Sequence, residues 1–198
     1  MKLIIVATSN KNKVKEIASY FSNTDITVLP VSILKNVPLI VEDGSTFAQN
    51  SQIKAKAIAE IFSCAVIADD SGLIIDALNG EPGVFSARYM NLNSDDEKNN
   101  AVLNKMQNVP DELRTARFTC AISFITPTGE VFSSEESCEG IITKSKSGNC
   151  GFGYDPIFFL PQYNKTMAEI SLDEKNVISH RGKALQKISK EIIKWFQK

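Results

Sequence analysis

Residues 66–76 read VIADDSGLIID, and two adjacent carboxylates, Asp69 and Asp70, lie there between two apolar runs. Burial of a charge is unfavourable unless an opposite charge or a hydrogen bond compensates it. The apolar runs predict one buried strand before the acidic pair and a second strand after Gly72, with a sharp turn at that glycine. The fold must therefore provide partners for both carboxylates at this point.

Strands and helices alternate on both sides of this stretch. The pattern predicts strands over residues 2–7, 26–31, 64–68, 72–78, 115–125 and 130–137. It also predicts four helices. The first follows a cap at Asn10, the second runs from Ser45 or Thr46 to Phe62, the third runs from Ser94 to Gln107, and the fourth begins at about Gly182. The last two strands flank Pro127-Thr128-Gly129 and read as a hairpin, so the sheet is not wholly parallel. We predict an α/β protein with a mixed central sheet flanked by helices.

The composition is that of an ordinary globular protein and excludes several kinds of partner. The chain has 198 residues, 43% of them apolar, which suits one domain over residues 1–198 with a sizeable core. Its net charge of −1 gives no overall field toward nucleic acid, and no apolar run is long enough to span a membrane. Four cysteines without a CxxC pair and one histidine do not form a zinc pattern. A reducing cytoplasm is the expected location.

The acidic pair has two chemical interpretations. In the first, an aspartate at the end of a strand accepts hydrogen bonds from the backbone amides of a turn. In the second, the pair binds Mg²⁺, which takes carboxylate oxygens, keeps several waters and borrows phosphate oxygens from a substrate. Glu42, in the stretch VEDGSTF, could supply a second carboxylate. The residues alone leave both interpretations open.

The loop TSNKNK, residues 8–13, joins the first strand to the first helix. Backbone N–H groups at the start of a helix point outward and favour an anion. Hydroxyl and amide side chains with two lysines add donors and positive charge, so the loop resembles a phosphate cradle, although it is not a Walker loop. The alternative is a capped helix with solvated lysines, which this stretch alone does not exclude.

Glycines and aromatic residues interleave in GNCGFGYDPIFF, residues 148–159. Three glycines allow the backbone to approach a ligand closely, and the rings of Phe152 and Tyr154 could stack on a base. The alternative is a glycine-rich hairpin whose aromatic side chains pack inward. A further stretch, EKNVISHRGKAL at residues 174–185, precedes the last helix and carries basic side chains, but alone it indicates little.

Taken in order, these stretches resemble one family over nearly the whole chain, the Ham1-type inosine triphosphate pyrophosphatases. The stretches that carry the resemblance are ATSNKNKVKEI (7–17), EDGSTFAQNSQIKAKA (42–57), ADDSGLIIDALNGEPGVFSARY (68–89), GFGYDPIF (151–158) and AEISLDEKNVISHRGKAL (168–185). The resemblance implies a two-lobed, elongated α/β fold with the active-site cleft between the lobes.

The resemblance implies roles for residues that act on the phosphates and the metal. The residues that correspond to the triphosphate-binding loop are Thr8, Ser9, Asn10, Lys11, Asn12 and Lys13. Lys54 corresponds to a lysine that faces the phosphates. Glu42 and Asp70 correspond to the Mg²⁺ ligands, and Asp70 also corresponds to the residue that activates the attacking water. Asp69 receives a supporting role.

The resemblance also implies a nucleoside site. Ser71 corresponds to a substrate contact. The residues that correspond to the nucleoside-binding stretch and the base pocket are Phe152, Gly153, Tyr154, Asp155, Lys175, His180 and Arg181. Inosine and xanthosine carry a 6-oxo acceptor, to which Arg181 and backbone N–H groups can donate. The 6-amino group of adenosine would meet those donors with another donor, and such a mismatch is strongly rejected.

The implied activity is Mg²⁺-dependent cleavage of non-standard purine nucleoside triphosphates to the monophosphate and pyrophosphate, by a cytoplasmic homodimer whose interface lies near residues 80–89. Two alternatives stand beside it. A Maf-type nucleotide pyrophosphatase would share the architecture, but its SxSPRR-like signature is missing where TSNKNK stands. A non-catalytic nucleotide-binding protein would not need a carboxylate beside a metal.

Overall fold

A computed structural model describes residues 2–197 and shows a seven-stranded sheet with five α-helices among these residues. The strands are β1 (Lys2–Val6), β2 (Ile26–Pro30), β3 (Val66–Ile75), β4 (Thr115–Ile125), β5 (Val131–Ile142), β6 (Phe158–Leu160) and β7 (Lys165–Thr166). The helices are α1 (Lys11–Phe21), α2 (Phe47–Phe62), α3 (Asp95–Lys105), α4 (Leu172–Ile178) and α5 (His180–Phe196). The strand order in the sheet is β2-β1-β3-β4-β5-β6-β7.

The sheet is mixed, as the sequence predicts. Strand β1 pairs in parallel with β2 and with β3, in the register Leu3 opposite Thr27 and Ile5 opposite Val66. Strand β6 pairs antiparallel with both β5 and β7. The parallel neighbours β1 and β2 are joined through helix α1, whereas the antiparallel neighbours β6 and β7 are joined by the short segment 161–164, as is usual for the two kinds of pairing.

The predicted turn at Gly72 is wrong, because β3 runs without interruption from Val66 to Ile75. The sequence places two strands there, separated by the acidic pair. In the structure Asp69 and Asp70 are 0% and 8% exposed and lie inside one strand. The strand can continue because each carboxylate finds a cation, as described below.

The chain divides into two compact units by its internal contacts. The first unit comprises residues 1–70, 120–136 and 181–198, of which the structure describes 2–70, 120–136 and 181–197. Its apolar residues form two clusters whose members alternate along β1: Ile4 and Val6 belong to one cluster, and Ile5 and Ala7 to the other. Successive residues of a strand point to opposite faces, so this unit has a core on each face of its part of the sheet.

The second unit comprises residues 71–119 and 137–180 and has one core of its own. Leu73, Val102 and Met106 are fully buried there, together with Phe158. Arg114 is also buried, and its guanidinium donates to the backbone carbonyls of Met106, Ile142 and Thr143. A buried arginine whose donors meet carbonyl oxygens is structural, because it leaves few polar groups unsatisfied.

The helix caps follow the sequence closely. The Asn10 side chain accepts from the backbone N–H groups of Asn12 and Lys13, and Thr46 rather than Ser45 caps α2. Ser94 and Glu97 form the predicted capping box of α3. Helix α4 was not predicted, and α5 begins at His180, two residues before the expected start.

No helix in the described part of the chain has the length and apolar character that a membrane span requires. The cysteines are all free thiols. Cys120, which lies in an apolar run of β4, is fully buried, whereas Cys64 is partly exposed.

Candidate active site

Asp69 and Asp70 point to opposite faces of strand β3, because neighbouring residues of a strand alternate between faces. Both carboxylates belong to the first unit. The Asp70 carboxylate contacts a side chain of α2, whereas the Asp69 carboxylate contacts side chains of α1, β4 and α5. One pair of adjacent acids therefore supplies two separate polar networks.

The Asp70 carboxylate shares one ammonium group with Glu42. Lys54 Nζ lies 2.9 Å from Asp70 Oδ1 and 2.7 Å from Glu42 Oε2. The second oxygen, Asp70 Oδ2, is buried and has no hydrogen-bond partner among residues 2–197. Burial raises the pKa of Asp70, and the attraction of Lys54 does not fully offset this effect. One oxygen of this carboxylate thus keeps its capacity to accept from another donor or to bind a cation.

Lys54 stays charged in this cluster. Burial alone would lower the pKa of Lys54, but the nearby carboxylates of Asp70 and Glu42 outweigh burial and raise it. The ammonium group therefore acts as the shared counter-ion of two acids that are 28 residues apart in sequence, at positions 42 and 70. Glu42 and Asp70 thus lie beside the same ammonium group, and their role as Mg²⁺ ligands stays a prediction.

The loop that carries Glu42 is fixed against the start of α2. The Gly44 N–H donates to Asn50 Oδ1 at 2.9 Å, and Asn50 is 1% exposed. A Cβ at position 44 would lie 2.7 Å from both Asn50 Oδ1 and Gln49 Cβ, so a larger residue would push the loop away. The sequence analysis missed Asn50, which lies inside the quoted motif but shows its role only through this long-range contact.

The Asp69 carboxylate, in contrast, is saturated with donors. Arg181 Nε donates to Asp69 Oδ2 at 2.9 Å, Lys13 forms an ion pair with Oδ1, and the Cys120 thiol donates to Oδ2 at 2.7 Å. Arg181 also pairs with Glu16 of α1. Burial alone would raise the pKa of Asp69, but Arg181 and Lys13 hold it well below its usual range.

The loop of residues 8–13 is a capped helix start, and its lysines differ in their surroundings. Asn10 Oδ1 accepts from the N–H of Asn12 at 2.9 Å, and Thr8 Oγ1 accepts from the N–H of Asn10 at 3.2 Å. The side chains of Ser9, Lys11 and Asn12 are exposed, whereas Lys13 turns inward to Asp69. The predicted cap is confirmed, the expected solvation holds for Lys11 but not for Lys13, and the phosphate interpretation stays a prediction.

The glycine-rich stretch of the second unit folds around the carboxylate of Asp155. Lys175 Nζ lies 2.6 Å from Asp155 Oδ2, which also accepts from the Phe152 N–H at 2.9 Å. The same ammonium lies 4.8 Å from the centroid of the Phe152 ring. Gly151 has a φ of +76°, and a Cβ there would overlap Asp155 Oδ2, so glycine is required at this position.

Two rings predicted for this site are buried in the core of the second unit. Tyr154 is 4% exposed, and its hydroxyl donates to the Ser86 carbonyl at 2.9 Å. Core side chains cover the Tyr154 ring, which favours the alternative that it packs inward over the interpretation that it stacks on a base. His180 is also 4% exposed and stacks on Phe118, with ring centroids 4.8 Å apart. Base contacts by other groups of Tyr154 and His180 stay predictions, as does the contact of Ser71.

Arg181 lies in a different network from the one that the resemblance implies. It is 2% exposed, belongs to the first unit and donates to two carboxylates, those of Asp69 and Glu16. A guanidinium group carries several N–H donors, so one buried arginine can pair with two carboxylates. Its role as a base contact stays a prediction, and its pairing with Asp69 is what the structure adds. Glu16 and Cys120, which complete this network, were not predicted as site residues.

The carboxylates near Lys54 could hold a divalent cation. Within residues 2–197 no group of three or more histidine, cysteine or acidic side chains has the arrangement of a metal centre. Mg²⁺, however, is usually held by only one or two carboxylates, with waters and substrate phosphates completing the shell. Glu42, Asp70 and the unpartnered Asp70 Oδ2 fit that requirement.

The sheet order and the lysine–carboxylate cluster on β3 define the chain as a mixed α/β protein with an acidic site built on its sheet. The chain belongs to the Ham1 family, whose model matches residues 4–191. A curated relative from Halalkalibacterium halodurans, named dITP/XTP pyrophosphatase, is 49% identical over 96% of this chain and 98% of its own length.

Solved structures agree with this assignment. A HAM1 protein from Coxiella burnetii has a TM-score of 0.87 at 38% identity, over 98% of this chain and 100% of its own. The Ham1 protein of Staphylococcus aureus has a TM-score of 0.85 at 40% identity, over 96% of this chain and 98% of its own. The predicted family and α/β fold are confirmed.

Proposed function

We propose that this chain hydrolyses non-standard purine nucleoside triphosphates, with dITP, ITP and XTP as substrates, to the monophosphate and pyrophosphate. The observation that carries the proposal is the buried carboxylate of Asp70, which shares Lys54 with Glu42 and keeps one oxygen without a partner among the described residues. The name of the Halalkalibacterium halodurans relative supports the choice of substrate.

The proposed cofactor is Mg²⁺, held by Glu42 and Asp70. When bound, a divalent cation of this kind neutralises charge on the phosphates and on the leaving pyrophosphate. The chain contributes fixed cations of its own toward the same end, because Lys54 lies between the two carboxylates and Lys13 lies at the start of α1. Preorganised positive charge of this kind stabilises the transition state of phosphoryl transfer.

The proposed reaction is an attack by water on the α-phosphorus. A new bond forms from the water oxygen to that phosphorus, and the bond from the phosphorus to the oxygen that bridges to the β-phosphate breaks. Asp70 accepts the proton of the water, and its raised pKa suits it to this role. Pyrophosphate leaves with the bridging oxygen, and the nucleoside monophosphate remains.

The proposal assigns the phosphates to the loop of residues 8–13 and to Lys54, and the nucleoside to Ser71 and the stretch 152–155. Lys175 supports that stretch through its buried ion pair with Asp155. Phe152 is the half-buried aromatic residue beside that ammonium group, so its ring is the better candidate for stacking on a base. His180 and Arg181 complete the proposed set.

The test is pyrophosphate release from ITP, dITP, XTP, ATP, GTP, dTTP and UTP, each with and without Mg²⁺. We expect release from the first three substrates and only with the metal. Equal rates on ATP and ITP would contradict the proposed substrate class, and a preference for pyrimidines would favour Maf-type chemistry. Nucleotide binding without any release, in protein that is folded and loaded with Mg²⁺, would favour a non-catalytic binding protein.

The proposed assembly is a cytoplasmic homodimer. Phe85 and Met90, in the segment 83–91, are both 57% exposed although both are large and apolar, which is unusual for a surface that stays in water. The free thiols agree with a reducing compartment. Sedimentation equilibrium should show a dimer that Phe85→Asp weakens; a monomer at all concentrations in the unsubstituted protein would contradict the assembly.

A further inference from the structure

Helix α3 holds both backbone groups of Gly153, a residue of the stretch proposed to bind the nucleoside. The Gly153 N–H donates to Asp95 Oδ2 at 2.7 Å, and the Gly153 carbonyl accepts from Asn99 Nδ2 at 2.9 Å. Asp95 and Asn99 are four residues apart, so they lie on the same side of the helix. The three residues belong to one compact unit.

These two contacts fix the peptide groups on either side of Gly153. The Phe152 carbonyl accepts from the N–H of Asp155 at 3.3 Å, so the peptide between residues 152 and 153 is held at its carbonyl by Asp155 and at its N–H by Asp95. Asn99 holds the next peptide. Gly153 has a φ of +63° and, being glycine, could adopt either sign of φ without a steric penalty. The helix therefore selects one of several backbone conformations that are open to this residue.

Asn99 is a poor choice for stability alone. It is 2% exposed, and its Oδ1 has no hydrogen-bond partner in the described part of the chain. An unsatisfied buried acceptor destabilises a fold, and a buried apolar residue of similar size would avoid that effect. Since only the Nδ2 side of the amide can donate to a carbonyl, the contact to Gly153 also determines how the amide is oriented. Residues that weaken a core in this way are commonly retained for a function.

We propose that Asp95 and Asn99 are positioning residues for base selection, which act by fixing the peptide groups at Gly153. The inference rests on the proposed function, because the 152–155 stretch must meet the base for the positions of its peptides to matter. Discrimination between a 6-oxo and a 6-amino group depends on the direction of hydrogen-bond donors, and small displacements of positioning groups change rates strongly.

The experiment compares Asn99→Ala and Asp95→Ala with a control variant one residue further along the helix. Asn100 Nδ2 donates to Asp96 Oδ2 at 3.1 Å, with both side chains exposed, so Asn100→Ala removes a side-chain contact of α3 without touching Gly153. Asp96 is left unchanged because it also pairs with Lys146. Steady-state kinetics with ITP, which has a 6-oxo group, and ATP, which has a 6-amino group, would be measured for each variant, together with amide hydrogen exchange at Gly153 in the free protein.

We expect Asn99→Ala and Asp95→Ala to raise KM for ITP by roughly tenfold, the size of effect expected from one lost hydrogen bond. The kcat for ITP should stay within about twofold, because the phosphate-side residues are unchanged. The ratio of kcat/KM for ITP to that for ATP should fall, and amide exchange at Gly153 should accelerate. Asn99→Ser, which keeps a donor, should recover part of the ratio.

Several outcomes would overturn the inference. It fails if wild type selects ITP but Asn99→Ala and Asp95→Ala keep both the KM and the selectivity of wild type. It fails equally if these variants lose only thermal stability, or if Asn100→Ala changes selectivity as much as Asn99→Ala. If wild type releases no pyrophosphate from any purine triphosphate, the proposed function fails first, and the amide exchange at Gly153 still reports whether helix α3 holds that peptide.

Discussion

The carboxylates of Asp69 and Asp70, on opposite faces of strand β3, differ in their partners and in the direction of their pKa shifts. On one face Asp69 meets Arg181, Lys13 and the thiol of Cys120, and its pKa is held far below the usual range. On the other face the ion-pair partner of Asp70 among residues 2–197 is Lys54, and the pKa of Asp70 is raised because burial outweighs the attraction of Lys54 and Lys13. Residue type, strand and burial are nearly the same, so the number of partners makes the difference.

This difference indicates which acid can act on a ligand. A carboxylate whose oxygens are all occupied is stable in its ionised form and contributes to the fold, provided that none of its partners is removed. A buried carboxylate with an oxygen left over is costly, and such groups concentrate where chemistry is performed. Under the proposed function, the Asp70 carboxylate therefore acts on the attacking water, and the Asp69 carboxylate holds α1 and α5, which carry Lys13 and Arg181, against the sheet.

The largest expected effect comes from Asp70→Asn. Turnover of ITP should fall by about 10²–10⁴-fold, because the amide cannot accept the proton of the attacking water. Stability should not fall, since the fold already disfavours the ionised form of this side chain. Pyrophosphate release and thermal unfolding measure the two quantities. A large loss of stability with turnover intact would reverse the roles of the two faces.

Asp69→Asn should have the opposite profile. Removal of the negative charge takes one counter-ion from the buried Arg181 and from the partly buried Lys13, and breaking a buried pair in this way costs about 3–5 kcal/mol of stability. Turnover per folded molecule should change much less than in Asp70→Asn. Chemical denaturation checks the first expectation. Glu16→Gln, which removes one partner of Arg181 and leaves Asp69 intact, should give a smaller loss and serves as the graded control.

The features of the fold that depend on residues close together in sequence could be predicted from the sequence. The caps at Asn10 and Ser94 were predicted, because a capping side chain accepts from an amide two or three residues away. The single strand β3 was not predicted. When only neighbouring residues are considered, its acidic pair looks like the end of a strand. The cations that compensate the buried charges lie 16 and 112 residues away in sequence.

Short elements and long-range contacts account for the other misses. Strands β6 and β7 contain three and two residues, and α4 contains seven, which is too little for a periodic pattern to identify. At the site, Lys54 and the carboxylates of Glu42 and Asp70 were predictable from motifs. The contact between helix α3 and Gly153 was not, because neither partner has a local signal and 54 or 58 residues separate them.

The substitution Lys54→Met tests whether this lysine competes with a metal ion on the Asp70 face. Lys54 neutralises Glu42 and Asp70 in the described structure, so it competes with a metal ion for the same two carboxylates. Its removal should tighten binding of Mn²⁺ to the nucleotide-free protein by roughly tenfold, because a nearby positive charge is lost. Titration followed by electron paramagnetic resonance measures this affinity without turnover. Weaker Mn²⁺ binding in the variant would mean that Lys54 organises the carboxylates rather than competes.

The smallest expected effect comes from Cys120 on the Asp69 face. Its thiol donates to Asp69 Oδ2, an oxygen that also accepts from Arg181, so Cys120→Ala leaves the carboxylate paired. We expect a loss of about 1 kcal/mol in the free energy of unfolding, and less for Cys120→Ser, which keeps a donor. Turnover of ITP should stay within about twofold of wild type, because Asp70 points to the opposite face of β3. If Cys120→Ala instead lowered turnover as strongly as Asp70→Asn, the two faces would be coupled, and neither carboxylate could be assigned a role from its own partners alone.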